Sequence, residues 1–340
     1  MSGNQARDRT WASPTVIELR NSVKGCLPKG TKSIVVGCSG GPDSLVLVAV
    51  ASWVGEREGF TVRSVTVDHQ LQPNSAHIAA EAAQHALTLG ASSAEVITVD
   101  VDTSSGIEAG ARIARRAALL DAANGEPILL GHTANDQAET VLLRLLRGAG
   151  AHSLSAMKQC EDPWHRPFLG SSRSEIETAV SEILQPLEIT PWTDPHNSIT
   201  DFARVRIREL LGELTSDFGP GVQASLVRTA DLLRADDRAL EELADSFYEI
   251  HLESNERDSA DLEVTDLESL PEAIRTRVIR RVYCHVAGVE RESSPLTFNH
   301  VQSIEALVVD WHGQGDIALP LGVCAKREYG RLRIYRGQGS

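Results

Sequence analysis

The stretch Ser39-Gly40-Gly41-Pro42-Asp43-Ser44 constrains this chain more than any other. It stands between two apolar runs, SIVVGC over 33–38 and LVLVAV over 45–50. The first run is short and rich in β-branched residues, the pattern of a parallel strand buried on both faces. The second continues to Val54 and reads as a helix opening. A strand, a glycine turn and a helix N-terminus together make an anion site. Glycine lets the backbone approach a phosphate, and the first-turn N–H groups point at it. Ser39 and Ser44 add hydroxyl donors. Asp43 does not suit phosphate directly and implies a cation between the two. A tight strand–helix turn capped by a serine is the structural alternative.

Strands and helices alternate on either side of this loop. Strands are expected from about Ile34, over 62–68, 94–99 and 127–130, and helices over 75–89, 107–123 and 134–147. That order predicts an α/β fold with a parallel sheet covered on both faces. Ligands of such sheets sit at the carboxyl ends of the strands, so Ser39, Asp68, His69, Gly131 and His132 are expected on one rim. The pattern changes after the turn-rich joint at 216–221. A long helix over 222–248, a second helical block from Leu270 and β character in GDIALPLG and GRLRIYR follow. The expected organisation is a catalytic domain over 1–217, then helices and a smaller α+β domain over 218–340.

In its 340 residues, 41% hydrophobic and 24% charged content is that of a soluble globular protein. No apolar run approaches the roughly 20 residues of a membrane span, and the first residues lack the apolar core of a secretory signal. The five cysteines are scattered, odd in number and without a C-x-x-C, which argues for a reducing cytoplasm and against a zinc or iron–sulfur site. Net charge is −14, but residues 231–270 alone carry 14 acidic and 3 basic side chains. A solvated helix face is the preferred reading of that acid run. Arginines gather instead at Arg112, Arg115 and Arg116, at Arg144 and Arg147, and at Arg204, Arg206 and Arg208. Whole-chain charge therefore decides little about a nucleic-acid partner.

The second informative stretch is GHTANDQAET over 131–140, followed by VLLRLLRG. Thr133 or Asn135 can cap the helix, with Asp136 stabilised in its first turn by the helix dipole. Alternatively His132, Asn135 and Asp136 line the rim, where Asp136 would hold a metal or an amine. Arg144 and Arg147 share one face, with Leu142, Leu143, Leu145 and Leu146 supplying the core.

SGGPDS is neither the G-x-x-x-x-G-K-[ST] P-loop nor the dinucleotide G-x-G-x-x-G. It resembles the PP-loop of the ATP pyrophosphatases, which split ATP into AMP and pyrophosphate to adenylate a substrate. Together with GHTANDQAETVLLRLLRGAG it is similar to the tRNA(Ile)-lysidine synthetase branch of that superfamily. Further matches are VDHQLQ at 67–72, EAGARIAR at 108–115, RPFL at 166–169 and DPHNSITDFARVRIRELL at 194–211, with a weaker likeness to the C-terminus. Three positions depart from the family pattern: Gln72 and Val205 replace an arginine and an asparagine, and Arg116 replaces an aromatic.

The resemblance implies ATP and Mg²⁺ as cofactors, and free L-lysine and tRNA(Ile) with a CAU anticodon as partners. It assigns Ser39, Gly40, Gly41, Pro42, Asp43 and Ser44 to ATP and pyrophosphate, with Asp43 acting through Mg²⁺. Asp68 and His69 would lie against the nucleotide's base or ribose. Asp136, with Glu139 behind it, would recognise the lysine amine or the metal. Arg112 and Arg115 would meet the tRNA or the adenylated base, unless they form surface ion pairs. His132 and Asn135, and the arginines Arg144, Arg147, Arg204, Arg206 and Arg208, complete the expected substrate contacts, although His132 equally suits a structural role. The expected protein is cytoplasmic, free of membrane, and a monomer or homodimer. Competing readings are a tRNA thiolase, for which Cys38 is the only thiol near the loop, and a non-catalytic ATP-binding protein.

Overall fold

The computed structural model describes residues 11–104, 106–193, 203–252 and 258–337. The 194–202 part of the DPHNSITDF motif lies outside them. The chain divides into two units, Met1–Leu233 and Arg234–Ser340. The first unit holds a six-stranded sheet in the order β3-β2-β1-β4-β6-β5. Its strands are β1 Ser33–Gly37, β2 Thr61–Asp68, β3 Ser93–Thr98, β4 Ile128–Leu130, β5 Cys160–Glu161 and β6 Trp164–His165. All neighbours pair in parallel except the edge pair β5–β6. β1 lies centrally with Ile34, Val35 and Val36 fully buried, as its β-branched run demands.

Five helices follow the strands or precede them: α1 Pro14–Cys26, α2 Pro42–Glu58, α3 Ser75–Thr88, α4 Ile107–Ala123 and α5 Ala134–Leu146. The helices expected from periodicity fall within a residue or two of these ends, except that α2 runs on past Val54. Two features go beyond the expected pattern. α1, capped by Ser13, packs its Val16, Leu19 and Val23 into the main core with α2. The β5–β6 hairpin adds an antiparallel edge to the parallel sheet. Beyond it come α6 Arg173–Ala179, α7 Ala203–Phe218 and α8 Val222–His251, the last crossing from one unit into the other. α7 ends at Phe218 and α8 begins at Val222, while the two units divide at 233/234, within α8. α7 packs Val205, Ile207 and Leu211 inward, the last two against Ala138 and Leu142 of α5.

The second unit is a four-stranded antiparallel sheet, β7-β10-β9-β8, covered by helices α9 Glu272–Ala287 and α10 Phe298–Val309. β7 is Ser259–Glu263, β8 Ile317–Ala318, β9 Val323–Glu328 and β10 Arg331–Arg336. This is the α+β unit expected at the C-terminus. Its acid run is not simply a solvated face. Asp237, Glu241 and Asp245, one turn apart along α8, pair with arginines. Arg277 holds Asp237 at 2.7 Å and Glu241 at 3.2 Å, Arg281 pairs with Asp245, and Arg291 with Glu241. Asp237 is buried. A periodicity of four that reads as solvation in sequence is an ion ladder once the arginines of α9 are brought to it.

Two further expectations are corrected. Leu145 and Leu146 are exposed rather than core, because they lie past the part of α5 that faces α7. Cys26 and Cys160, expected as separate free thiols, are joined as a disulfide across 134 residues. Among the described residues no helix is long and apolar enough to cross a membrane.

Candidate active site

β1 delivers the chain to the rim, and Cys38 N donates to Val65 O at 2.9 Å, tying the first loop residue to β2. Gly40 turns at φ +80°, and a Cβ there would lie 3.1 Å from Ala82 Cβ, so conformation and space both require glycine. Its carbonyl accepts from Trp192 N at 2.9 Å. Ser44, expected to face phosphate, instead braces the turn: its Oγ accepts from Ser39 N at 3.1 Å and donates to Gly41 O at 2.9 Å. α2 starts at Pro42 with no side-chain cap, so its first-turn N–H groups are left to a ligand. Burial pushes the Cys38 thiol up, away from the reactive thiolate form.

Asp43 sits in the first turn of α2. Burial and the nearby Asp136 carboxylate push its carboxyl up to about 6, against the pull of Arg173 and Arg208. Its Oδ1 is enclosed without a hydrogen bond, with the Arg173 guanidinium 3.8 Å away. Asp136 occupies the first turn of α5 as one half of a capping box. Its Oδ2 accepts from Thr133 N at 2.7 Å and Thr133 Oγ1 at 3.0 Å. Thr133, not Asn135, is the cap. Glu139, one turn on, is buried and accepts from Arg208 Nε at 2.8 Å; burial raises its pKa, with the Arg208 bond opposing. Two loops on one rim therefore aim two carboxylates at a common space bordered by Arg173 and Arg208.

Beside them lies a cationic wall. Burial, then Arg112, Arg204 and Arg116, bring Arg115 down to about 10, so it stays charged at neutral pH. Arg112 is lowered by burial and Arg204, while Arg204 itself pairs with Glu108 at 3.3 Å. Burial, with further push from Arg115, Arg166 and Arg204, brings His132 down to about 3, so its ring is neutral. Its Nδ1 is enclosed and has no hydrogen-bond partner. Burial and Arg115 likewise lower His69, whose Nδ1 is also enclosed without a partner. Asp68 is buried at the end of β2 and accepts from Gln70 N at 2.9 Å.

The remaining expected residues divide. Asn135 Nδ2 donates to Gln223 Oε1 at 3.0 Å, and Arg144 Nη1 donates to Ser153 O, so both are engaged within the protein. Arg147 and Arg206 are exposed. Arg204 and Arg208, four residues apart, share one side of α7, where Arg208 is half-exposed, and Arg206 lies about half a turn round from Arg204. Three residues had no assigned role in the sequence. Arg173 and Trp192 sit in no periodic pattern that marks them. Arg166, within the RPFL match, is buried, with Nη1 on Lys158 O at 2.8 Å. Two departures have a physical account: Arg116 stacks 4.1 Å over the Trp164 ring, and Val205 is buried on the core side of α7.

This loop–rim arrangement places the chain in a known class. The PP-loop domain family matches residues 14–214 and the TilS substrate binding domain family residues 262–333. The fold resembles the U34-tRNA thiolase NcsA of Methanococcus maripaludis, with TM-score 0.52 and 17% identity over 65% of this chain and 80% of that one. The chain is 41% identical to the tRNA(Ile)-lysidine synthases of Rhodococcus erythropolis and Nocardia farcinica, covering 94% of its own length and 95% and 98% of theirs. It belongs to the tRNA(Ile)-lysidine synthase family, ligases that form a carbon–nitrogen bond with ATP.

Proposed function

We propose that this chain uses ATP to join L-lysine to C2 of the wobble cytidine in a tRNA(Ile) with a CAU anticodon, releasing AMP and pyrophosphate. The observation that carries this reading is the enclosed, unbonded Asp43 Oδ1 at the mouth of a phosphate cradle, facing a second carboxylate. Two acids beside a phosphate site repel one another and their ligand alike. A divalent cation resolves both conflicts, and Mg²⁺ suits an oxygen donor set of this kind. Bound there, Mg²⁺ would supply charge neutralisation for the departing pyrophosphate.

The chain's own groups account for the rest. The α2 first turn and Gly40–Gly41 backbone hold the phosphates of ATP. The cytosine O2 is a poor leaving group until it carries AMP. Attack of O2 on the α-phosphorus forms the adenylate and breaks the bond to pyrophosphate. Arg112 and Arg115 offset the negative charge at the adenylated base, and neutral His132 and His69 can accept or donate hydrogen bonds there. Asp136 and Glu139 attract the lysine ε-ammonium; the amine, once it has lost a proton, attacks C2 and expels AMP.

A sulfur-transfer reading fits less well. Cys38 is a buried thiol with its pKa raised, and Cys26 and Cys160 are paired with each other. The test incubates the protein with ATP, radiolabelled lysine and the isoleucine tRNA transcript. Label is expected in the wild-type transcript and not in one whose wobble cytidine is replaced. Pyrophosphate release that needs neither lysine nor tRNA would overturn the reading.

A further inference from the structure

A second cluster lies away from the ATP rim. Cys26 ends α1, and Cys160 and His165 stand opposite each other on the β5–β6 hairpin. Their two sulfurs and one imidazole nitrogen all lie within 4.8 Å of one another. The disulfide uses both sulfurs. Yet His165 is 2% exposed, with Nδ1 3.9 Å from Cys26 Sγ. Its Nε2 is enclosed without a hydrogen-bond partner, and the exposed carboxylate of Asp162, on the hairpin turn, has Oδ1 3.1 Å away. Buried imidazoles are held in place for a reason, because an unmatched polar group there is costly. A metal bound at Nδ1 leaves the proton on Nε2, where the nearby Asp162 carboxylate can turn to accept it. That is how a metal-binding histidine is oriented by an acidic neighbour.

We propose that, with the disulfide reduced, Cys26, Cys160 and His165 bind one zinc ion, oriented by Asp162. Tetrahedral zinc with bonds of about 2.3 Å to sulfur and about 2.0 Å to nitrogen sets sulfur–nitrogen edges near 3.5 Å. The Cys26–His165 separation is within a few tenths of an ångström of that. Two thiolates and an imidazole select zinc over magnesium, which prefers oxygen, so the site is chemically distinct from the Asp43–Asp136 rim. A dithiol reductant gives two electrons and two protons to the disulfide and becomes a disulfide itself. The two thiols then release their protons as the metal binds. The ion ties the C-terminus of α1 to the hairpin that carries Arg166. Sequence spacing misses such a site because its ligands come from separate segments.

The test uses the full chain, reduced with a dithiol, desalted anaerobically and titrated with cobalt(II), then with zinc. Cobalt bound by thiolates gives a sulfur-to-metal charge-transfer band that oxygen ligands do not give. One equivalent is expected, displaced by zinc. Cys160 is exposed, so Cys160→Ser tests the site without disturbing the core and is expected to lose the band. Asp162→Asn is expected to weaken binding roughly 10–100-fold. Cys324→Ser, on β9, is expected to change nothing. Absence of the band in the reduced wild type, or its survival in Cys160→Ser, overturns the proposal.

Discussion

The strand-end rim of the first unit and the C-terminal unit use the same side chains to opposite ends. In the C-terminal unit, acids and arginines are matched: Arg275 holds Glu305 at 2.7 Å with both side chains at most 10% exposed, and Arg277 holds Asp237 at 2.7 Å. On the rim, Asp43 and Asp136 face each other, Arg112, Arg115 and Arg204 crowd together, and Asp43 Oδ1 has no hydrogen bond. Matched charges specify a fold and hold it. Mismatched charges are stable only because the rest of the domain supports them, and they are poised for ligands that complete them.

The contrast breaks first at Asp43. Asp43→Asn is expected to lower lysine-dependent pyrophosphate release by about 10³-fold or more, the scale of losing a metal-centred charge. Activity within tenfold of wild type would place Asp43 among the structural charges. The same variant sharpens the comparison through stability. The folded pKa of Asp43, about 6, lies above the ordinary 3.8, so the wild-type native state binds the proton more tightly. Stability from this group therefore falls as pH rises from 4 to 6, and ionised Asp43 costs about 2–3 kcal/mol at pH 7. In magnesium-free buffer Asp43→Asn is expected to unfold at higher denaturant than wild type at pH 7, with the gap closing by pH 4.

The matched region is expected to behave in reverse. Glu305→Gln leaves Arg275 buried without its counter-charge and is expected to cost about 3 kcal/mol in urea unfolding of the C-terminal unit. An unchanged midpoint would end the distinction. Arg208→Gln falls between, since its partner Glu139 is buried and borders the rim. A loss of about 1–2 kcal/mol, together with a roughly tenfold rise in the KM for lysine, is expected. Arg206→Gln, about half a turn from Arg204, is expected to change kcat/KM for tRNA no more than about twofold; a larger loss would put a second contact face on α7.

The alternation of strands and helices, the rim and both acidic loops were legible in the sequence because each rests on local pattern. β1 announces itself by β-branched residues, α5 by its glycine boundary and capping residues. What was not legible depends on partners distant in the chain. The acid run on α8 reads as solvated until α9 supplies Arg277 and Arg281. Cys26 and Cys160 carry no spacing signal across 134 residues. Arg173 and Trp192 reach the loop from the far side of the domain's chain order, and no periodicity marks either. Arg116 and Val205, departures when aligned with a motif, become ordinary residues once Trp164 and the α7 core are beside them.

Gly40 is fixed twice over, by its left-handed backbone and by Ala82 Cβ 3.1 Å from where a side chain would begin. No side chain can be added at Gly40 without moving α3, which carries Ala82. A lineage built on this loop is therefore held to its backbone path at Gly40. Novelty has to enter through α4, α5 and α7, whose outer positions can be exchanged one at a time while the energy-supplying half of the reaction is inherited intact.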